Sequence, residues 1–478
     1  MKKSLLLTAM AAVTLSAAAQ GVDPVQYTAG NGYQLENIWL MSRGDGSNGV
    51  ATADFDALPF DNMGKATYAT LLGDYVYITC SQSYVEMINE ETGEPFMGLD
   101  AYCHLVVLDA ATGKYVKTID LTLNGERYYG LIAANCIGHD DFGHLYISNY
   151  VQPTYDDETG VAKPVNFYTV NTETGEMTLQ GACVLDEIDG PGHGARVDFT
   201  DVIGDLTGEQ ARCVVMACPN EIAAVYIWSR EQGETEWKPG NHEDYAAVPV
   251  ADTDPAEQAA WSYSPIVRMV RDEEFNGDFF YIDGHATRPA LYDETGEMIE
   301  KLMVHGAGET ADEGWADFIP EQQPNGALQF GLGADQFFAY PLHFGDDKQV
   351  GGHIAIVKLD ENESFENATP MWIMPQAGMG IKKGEGRFAH AIDVSPVYFD
   401  ENGKAAINIF IYKDCNGCGL YRLAEEGFQA GAIDIEADVN ADAPVQYFNL
   451  NGQAVDASNL TPGFYIRRQG TTATKVIR

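Results

Sequence analysis

Residues 105–121 read LVVLDAATGKYVKTIDL. Apolar residues lead into the turn Asp109-Ala110-Ala111-Thr112-Gly113, and a second alternating run leaves it. A polar turn with Gly where positive φ is wanted, between two period-2 segments, is a hairpin signal. The unit returns as FYTVNTETGEMTLQGACVL around Asn171–Gly175, ALYDETGEMIEKLMV around Asp293–Gly296 and VYFDENGKAAINIFI around Asp400–Gly403. MINEETGEPF and YDDETGVAKPV repeat the turn chemistry in what read as longer loops.

Each hairpin tends to follow an apolar strand that ends in a Gly-Asp type turn, as in YATLLGDYVYITCS, IGHDDFGHLYISNYV, VIGDLTGEQARCVVMAC, EEFNGDFFYIDG and GLGADQFFAYP. The combined spacing, about 45 to 65 residues, falls in or somewhat above the range of four-stranded propeller blades. Aromatic residues at 11% of the chain, with 49 Gly and 20 Pro, suit pleated strands joined by tight turns. Amphipathic helical periodicity is scarce, PAEQAAW from Pro255 being one of few candidates. The expected fold class is all-β: a six- to seven-bladed β-propeller between about Asn31 and Glu426, with a β-sandwich array as the alternative. GYQLENIWLMS would close the ring against the final blade.

The LDAATGKYV type of turn resembles those of quinoprotein-like and related bacterial β-propellers. The resemblance is a structural rhythm, and the tryptophan-docking pattern of true quinoproteins is missing. It implies the fold and not the quinone cofactor.

The formal charge is −43, which repels nucleic acid and anionic headgroups and gives solubility outside a cell. No later segment has the roughly 20 apolar residues of a membrane span. The eight cysteines are Cys80, Cys103, Cys136, Cys183, Cys213, Cys218, Cys415 and Cys418; they allow 105 full pairings, so connectivity stays open. Cys415-Asn-Gly-Cys418 would close a small loop or stay as buried thiols. It has neither the βαβ context of a redox motif nor a second ligand pair for zinc.

Both ends read as export labels. Lys2-Lys3, the apolar run SLLLTAMAAVTLSAAA and small residues at Ala17 and Ala19 form a secretory signal, with the mature chain starting near Gln20; an uncleaved anchor is the competing reading. The expected organisation is a signal peptide over 1–19, the propeller over 20–427, an acidic small-residue linker over 428–443 and a compact tail over 444–478. The tail, PVQYFNLNGQAVDASNLTPGFYIRRQGTTATKVIR, offers hairpin turns at Asn451-Gly452 and Pro462-Gly463. It resembles the C-terminal sorting domain of Bacteroidetes type IX secretion. Tyr447, Asn449, Gly452, Leu460, Gly463, Tyr465, Lys475 and Arg478 stand at the corresponding places, with Phe448 between the first two. The resemblance implies a small β-sandwich-like domain, the type IX machinery as partner, and passage to the outer-membrane surface or medium. The periplasm, or a tail that only caps the body, are the alternatives.

No phosphate loop, dinucleotide fingerprint, zincin helix or nucleophile elbow stands in a fitting context. Three polar clusters are the candidate ligand-binding residues: His193, Arg196 and Asp198; Asp283, His285 and Arg288; and Arg387, His390 and Asp393. Inner strands of a propeller converge on its channel, so the clusters could meet there. Arg grips carboxylates and His shuttles protons near neutrality, which suits an anionic sugar or a peptide end. The competing reading is that they pair at strand ends and hold blades together.

No cofactor signature is present, and calcium is the ion that acidic turns suggest, at Asp272-Glu273-Glu274 with Asn276-Gly277-Asp278 and at Asp156-Asp157-Glu158; neither has the full spacing of a calcium loop. Of Trp228, Trp237, Trp261, Trp315 and Trp372, Trp237 reads as the most exposed and the others as core. The expected function is an exported, non-catalytic propeller that binds a glycan, peptide or envelope component. The alternative is an exported polysaccharide hydrolase or lyase with a His/Arg/Asp site at the channel mouth.

Overall fold

The Asp109 carboxylate accepts hydrogen bonds from the Thr112 amide and hydroxyl at 2.8 and 2.6 Å, and Gly113 closes the turn at φ 69°. Asn171 accepts from the amides of Glu173 and Thr174, Asp293 from those of Thr295 and Glu297, and Asp400 from those of Asn402 and Lys404. One Asx-turn chemistry therefore sets hairpins in four blades, because a short side chain can satisfy turn amides that no strand reaches.

A computed structural model describes residues 23–28, 31–42, 58, 68–80, 83–89, 92–100, 102–129, 136–149, 163–184, 196–208, 211–218, 224–230, 236–239, 247–249, 266–271, 279–283, 289–304, 326–342, 352–379, 390–413, 416–430, 445–448, 454–455, 464–469 and 472–477. The strands assemble a six-bladed propeller of antiparallel sheets. From the axis outward, the first blade runs Ala69–Leu72, Tyr75–Cys80, His104–Asp109, Tyr115–Asp120. The second runs Cys136–His139, Leu145–Ser148, Val165–Val170, Glu176–Cys183. The third runs Arg196–Ile203, Arg212–Cys218, Ala224–Ser229, with Lys238–Pro239 and Ala247–Pro249 both against its outer edge. The fourth runs Ile266–Met269, Phe279–Asp283, Ala290–Asp293, Met298–Lys301. The fifth runs Leu328–Leu332, Asp335–Leu342, His353–Lys358, Thr369–Met374, and Val25–Gln26 adds a short outer strand.

The sixth blade takes His390–Val394, Ala405–Lys413 and Gly417–Glu425 from the end of the body and Tyr33–Ser42 from its start. That outermost strand closes the ring as the sequence suggested. Trp39 strengthens the closure, its indole donating to the Ala110 carbonyl at 2.7 Å. Gly113 is needed beneath the ring, since a Cβ there would sit 2.7 Å from two ring carbons.

One local expectation changes. Leu105, Val106, Val107 and Leu108 are all fully buried, with no inside–outside alternation. Propeller blades stack face to face, so a middle strand is covered on both sides. Each such side chain contributes about 1.5–3 kcal/mol by leaving water. Toward the rim of this blade burial loosens, and Tyr115–Asp120 has exposed, half-buried and buried positions. MINEETGEPF is also not a plain loop. Ser83–Ile88 and Pro95–Asp100 pair as a hairpin inserted between the second and third strands of the first blade.

Cys80, Cys103, Cys136, Cys183, Cys213 and Cys418 are all buried, and Cys136, Cys213 and Cys418 are thiols outside any disulfide. Burial pushes the Cys418 thiol well up, so the proposed loop closure through this residue is replaced by a packed thiol; Cys415 lies outside the described residues. In the tail, Val445–Phe448, Ala454–Val455, Phe464–Gln469 and Thr472–Ile477 form an antiparallel sheet. Asn451-Gly452 and Pro462-Gly463 lie outside the described residues. None of the described helices is long and apolar enough to cross a membrane.

Candidate functional site

The six innermost strands surround an axial cavity of about 190 Å³. Each places one polar side chain in its lining: Thr70, His139, Asp201, Arg268, Gln329 and Asp393, in blade order. Tyr68, Tyr146 and Phe199 supply aromatic wall between them.

Most of the ring is paired. Asp393 accepts from the Thr70 hydroxyl at 2.5 Å and the Leu71 amide at 2.8 Å, and its other oxygen lies 3.4 Å from His139 Nε2. Burial works against both charges, but the partners outweigh it: His139 is held above its ordinary pKa and Asp393 below. Asp201 takes both terminal nitrogens of Arg271, at 2.7 and 2.9 Å, and the Met269 amide at 3.0 Å. Burial pushes the Asp201 carboxyl up, and Arg271, then Arg268, bring it below the usual range. Arg271 also reaches Asp141 at 3.5 Å, tying the fourth blade to the third and second.

Arg268 is held differently. Its Nε donates to the Ala327 carbonyl at 3.0 Å, and its guanidinium lies 5.0 Å above the Phe199 ring. Its nearest carboxylate oxygen, on Asp201, is 3.9 Å from Nη1, too far for a hydrogen bond. The backbone N–H of Gln329 donates to the Tyr281 hydroxyl at 3.0 Å, while its side-chain oxygen is buried with no hydrogen-bond partner among the described residues. A buried acceptor left unpaired costs on the order of 1–3 kcal/mol.

The structure places the sequence candidates unevenly. Asp393 lines the cavity. Asp283 is fully buried on the second strand of the fourth blade and accepts the Gly326 amide at 2.9 Å, a strap to the fifth blade. Burial raises its carboxyl to about 8. Arg196 and Asp198 fall in the innermost strand of the third blade and His390 in that of the sixth. Their side chains, and His193, His285, Arg288 and Arg387 entirely, lie outside the described residues. His139, Asp201, Arg268 and Gln329 were missed. For Arg268 and Gln329 the signal is a single polar residue inside an otherwise apolar strand, IVRM and LQFGL; Asp201 stands in the polar-rich RVDFTDVI and has no such signal.

Trp237 is not a free surface ring. It is half-buried, stacks on Phe167 with centroids 6.4 Å apart, donates to the Gln180 carbonyl at 2.9 Å and carries the Arg230 guanidinium 4.9 Å above it. Its polar sequence neighbours concealed the apolar flank it packs against. Trp228 and Trp372 are core.

Both candidate calcium turns lie outside the described residues. Among the described residues, Asp140, His144 and Asp205 are the group whose atoms come close enough to hold a metal. His144 Nδ1 is 2.9 Å from Asp140 and 3.4 Å from Asp205. The same oxygens already accept the Leu206 amide and the Thr207 and Gly208 amides, so the group is accounted for as a tie between two turns.

No protein-family model and no curated protein sequence matches the chain. Among solved structures it is similar to a DUF4623 family protein from Bacteroides eggerthii, at 14% identity and TM-score 0.51 over 85% of this chain and 78% of that one. An α-L-arabinanase from Penicillium chrysogenum complexed with arabinobiose gives 10% identity and TM-score 0.41 over 78% and 98%. A sialidase from Trypanosoma rangeli in complex with sialic acid gives 8% and 0.36 over 86% and 59%. At these identities the first likeness shows fold alone, and the other two decide nothing about chemistry.

Proposed function

We propose that this chain is an exported, non-catalytic six-bladed propeller that binds a glycan, peptide or envelope component at its axis. The observation that carries this reading is the polar ring, one residue from each innermost strand, around a cavity whose lining includes the Arg268 guanidinium, 3.9 Å from the Asp201 carboxylate. Glycoside hydrolysis commonly needs a carboxyl held protonated beside a second, ionised one. Here the two ring carboxylates, Asp201 and Asp393, are both paired with cations and held low. That supports binding over the hydrolase or lyase alternative.

The signal-like start, the acidic surface and the sorting-like tail support export, with type IX machinery as the partner and the cell surface or medium as destination. Mass spectrometry of culture fractions tests the address: a product starting near Gln20 and ending before about Pro444 agrees with it, and an intact tail in the periplasm opposes it. Incubating the purified protein with polysaccharide and peptide panels, reading retention and new reducing ends together, tests the activity. Retention without turnover is expected; turnover that scales with enzyme concentration would bring the hydrolase forward.

A further inference from the structure

We infer that Asp283 is a positioning residue for Arg268: its uncharged carboxyl holds the fifth-blade peptides that fix the guanidinium in the cavity wall, and ionisation releases them. The consequence for the axial site, competent with the acid neutral and weakened with it ionised, rests on the binding reading above.

Three hydrogen bonds within four residues join the fourth blade to the fifth. The Gly326 amide donates to Asp283 Oδ2 at 2.9 Å, Arg268 Nε donates to the Ala327 carbonyl at 3.0 Å, and the Gln329 amide donates to the Tyr281 hydroxyl at 3.0 Å. Asp283 and Arg268 thus grip adjacent residues of one stretch of chain. A shift of Gly326 moves the Ala327 carbonyl, and with it the anchor of Arg268. The Asp201 carboxylate does not replace that anchor, lying 3.9 Å from Nη1 and beyond a hydrogen bond.

The surroundings of Asp283 favour the neutral acid. It is fully buried, its Oδ1 has no hydrogen-bond partner, and no cation pairs with it among the described residues. The ionisable and charged side chains around it are Tyr281 on the same face of its own strand, Arg268 on the inner strand alongside and Tyr340 on the second strand of the fifth blade. Burial pushes the Tyr281 phenol up to about 12 and the Tyr340 phenol well up, so both stay neutral while the carboxyl, raised to about 8, titrates. An ionised carboxylate at this depth needs water or a cation, and opening at Gly326 admits either.

Two ligand-free readouts on the full purified protein test this at pH 7 and pH 9. The first is methylglyoxal labelling of Arg268, read by peptide mass spectrometry against the exposed Arg127. The second is amide exchange over residues 326–329, read against Asp283→Asn at the same pH. In the wild type, labelling of Arg268 relative to Arg127 should rise about tenfold, the ratio of ionised fractions for a carboxyl at about 8, and exchange should rise with it. Asp283→Asn keeps the acceptor and cannot ionise, so both readouts should stay flat. Wild-type labelling that does not rise overturns the inference whether or not the variant folds. A rise of the same size in Asp283→Asn overturns it too. Retention on the polysaccharide and peptide panels at the two pH values should weaken at pH 9 in the wild type more than in the variant; His139 titrates in both alike. Equal weakening overturns the consequence for the site. A labelling rise with nothing retained at either pH supports the coupling and removes the binding function.

Discussion

His139 of the second blade lies 3.4 Å from Asp393 of the sixth, so a contact across the axis bypasses the first blade, whose Thr70 hydroxyl meets the same carboxylate. The pair joins three blades at one point and sits in the cavity wall, where its charge state bears on both stability and ligand.

His139 is raised above 6.5 and Asp393 lowered below 3.8, so both are charged between those values. A raised histidine stabilises the fold fully below its unfolded pKa, and that contribution fades as pH climbs through the folded pKa. The melting temperature of the wild type minus that of His139→Gln should therefore be largest between about pH 4 and 6.5 and shrink above it. A difference that grows from pH 6.5 to 9 would contradict the assignment.

Asp201 is almost fully buried and holds Arg271 by two hydrogen bonds. Asp201→Ala removes the carboxylate between Arg271 and Arg268 and leaves Arg271 only the longer contact to Asp141 at 3.5 Å. The expected loss is about 3 kcal/mol, at the low end for a buried pair because Arg271 reaches solvent. Chemical denaturation measures it; a loss below about 0.5 kcal/mol would show that water replaces the carboxylate.

Asp283 behaves in the opposite sense. Burial raises its folded pKa to about 8 from the ordinary 3.8, so the wild type is at its most stable below 3.8 and loses that advantage up to about 8. Asp283→Asn keeps the acceptor for Gly326 and removes the titration. It should stabilise the protein at pH 7 by up to about 4 kcal/mol, with the gain vanishing near pH 4. Equal stability of the two proteins across that range would refute the raised pKa.

Gly113 sits at φ 69° under the Trp39 ring. Gly113→Ala combines a strained backbone with a steric clash and should cost about 1–3 kcal/mol. Because Trp39 belongs to the ring-closing strand, its fluorescence should shift to the red in the folded variant. An unchanged spectrum and unchanged stability would mean that the closure does not depend on this contact.

The turn at Asp109–Gly113 and its repeats made the propeller legible, because Asx-turn chemistry is local and survives in the letters. The closing strand was legible from GYQLENIWLMS at the start of the body, which pairs with Gly417–Glu425 of the last blade. The site was less so. Reading for His, Arg and Asp close together in sequence found Asp393 but not His139, Arg268 or Gln329. The ring draws a single residue from each blade, so its members stand tens of residues apart, and Arg268 and Gln329 look like isolated polar exceptions in apolar strands. Asp283 shows the converse. A carboxylate in a cluster with His285 and Arg288 in sequence turns out to bind a backbone amide of the next blade.

Binding at the axis is tested most directly through Arg268. Isothermal titration of the wild type and Arg268→Gln with a polysaccharide retained by the wild type is the direct measurement. The account predicts at least a tenfold loss of affinity in a variant that melts as the wild type does. Equal affinity would place binding elsewhere on the propeller.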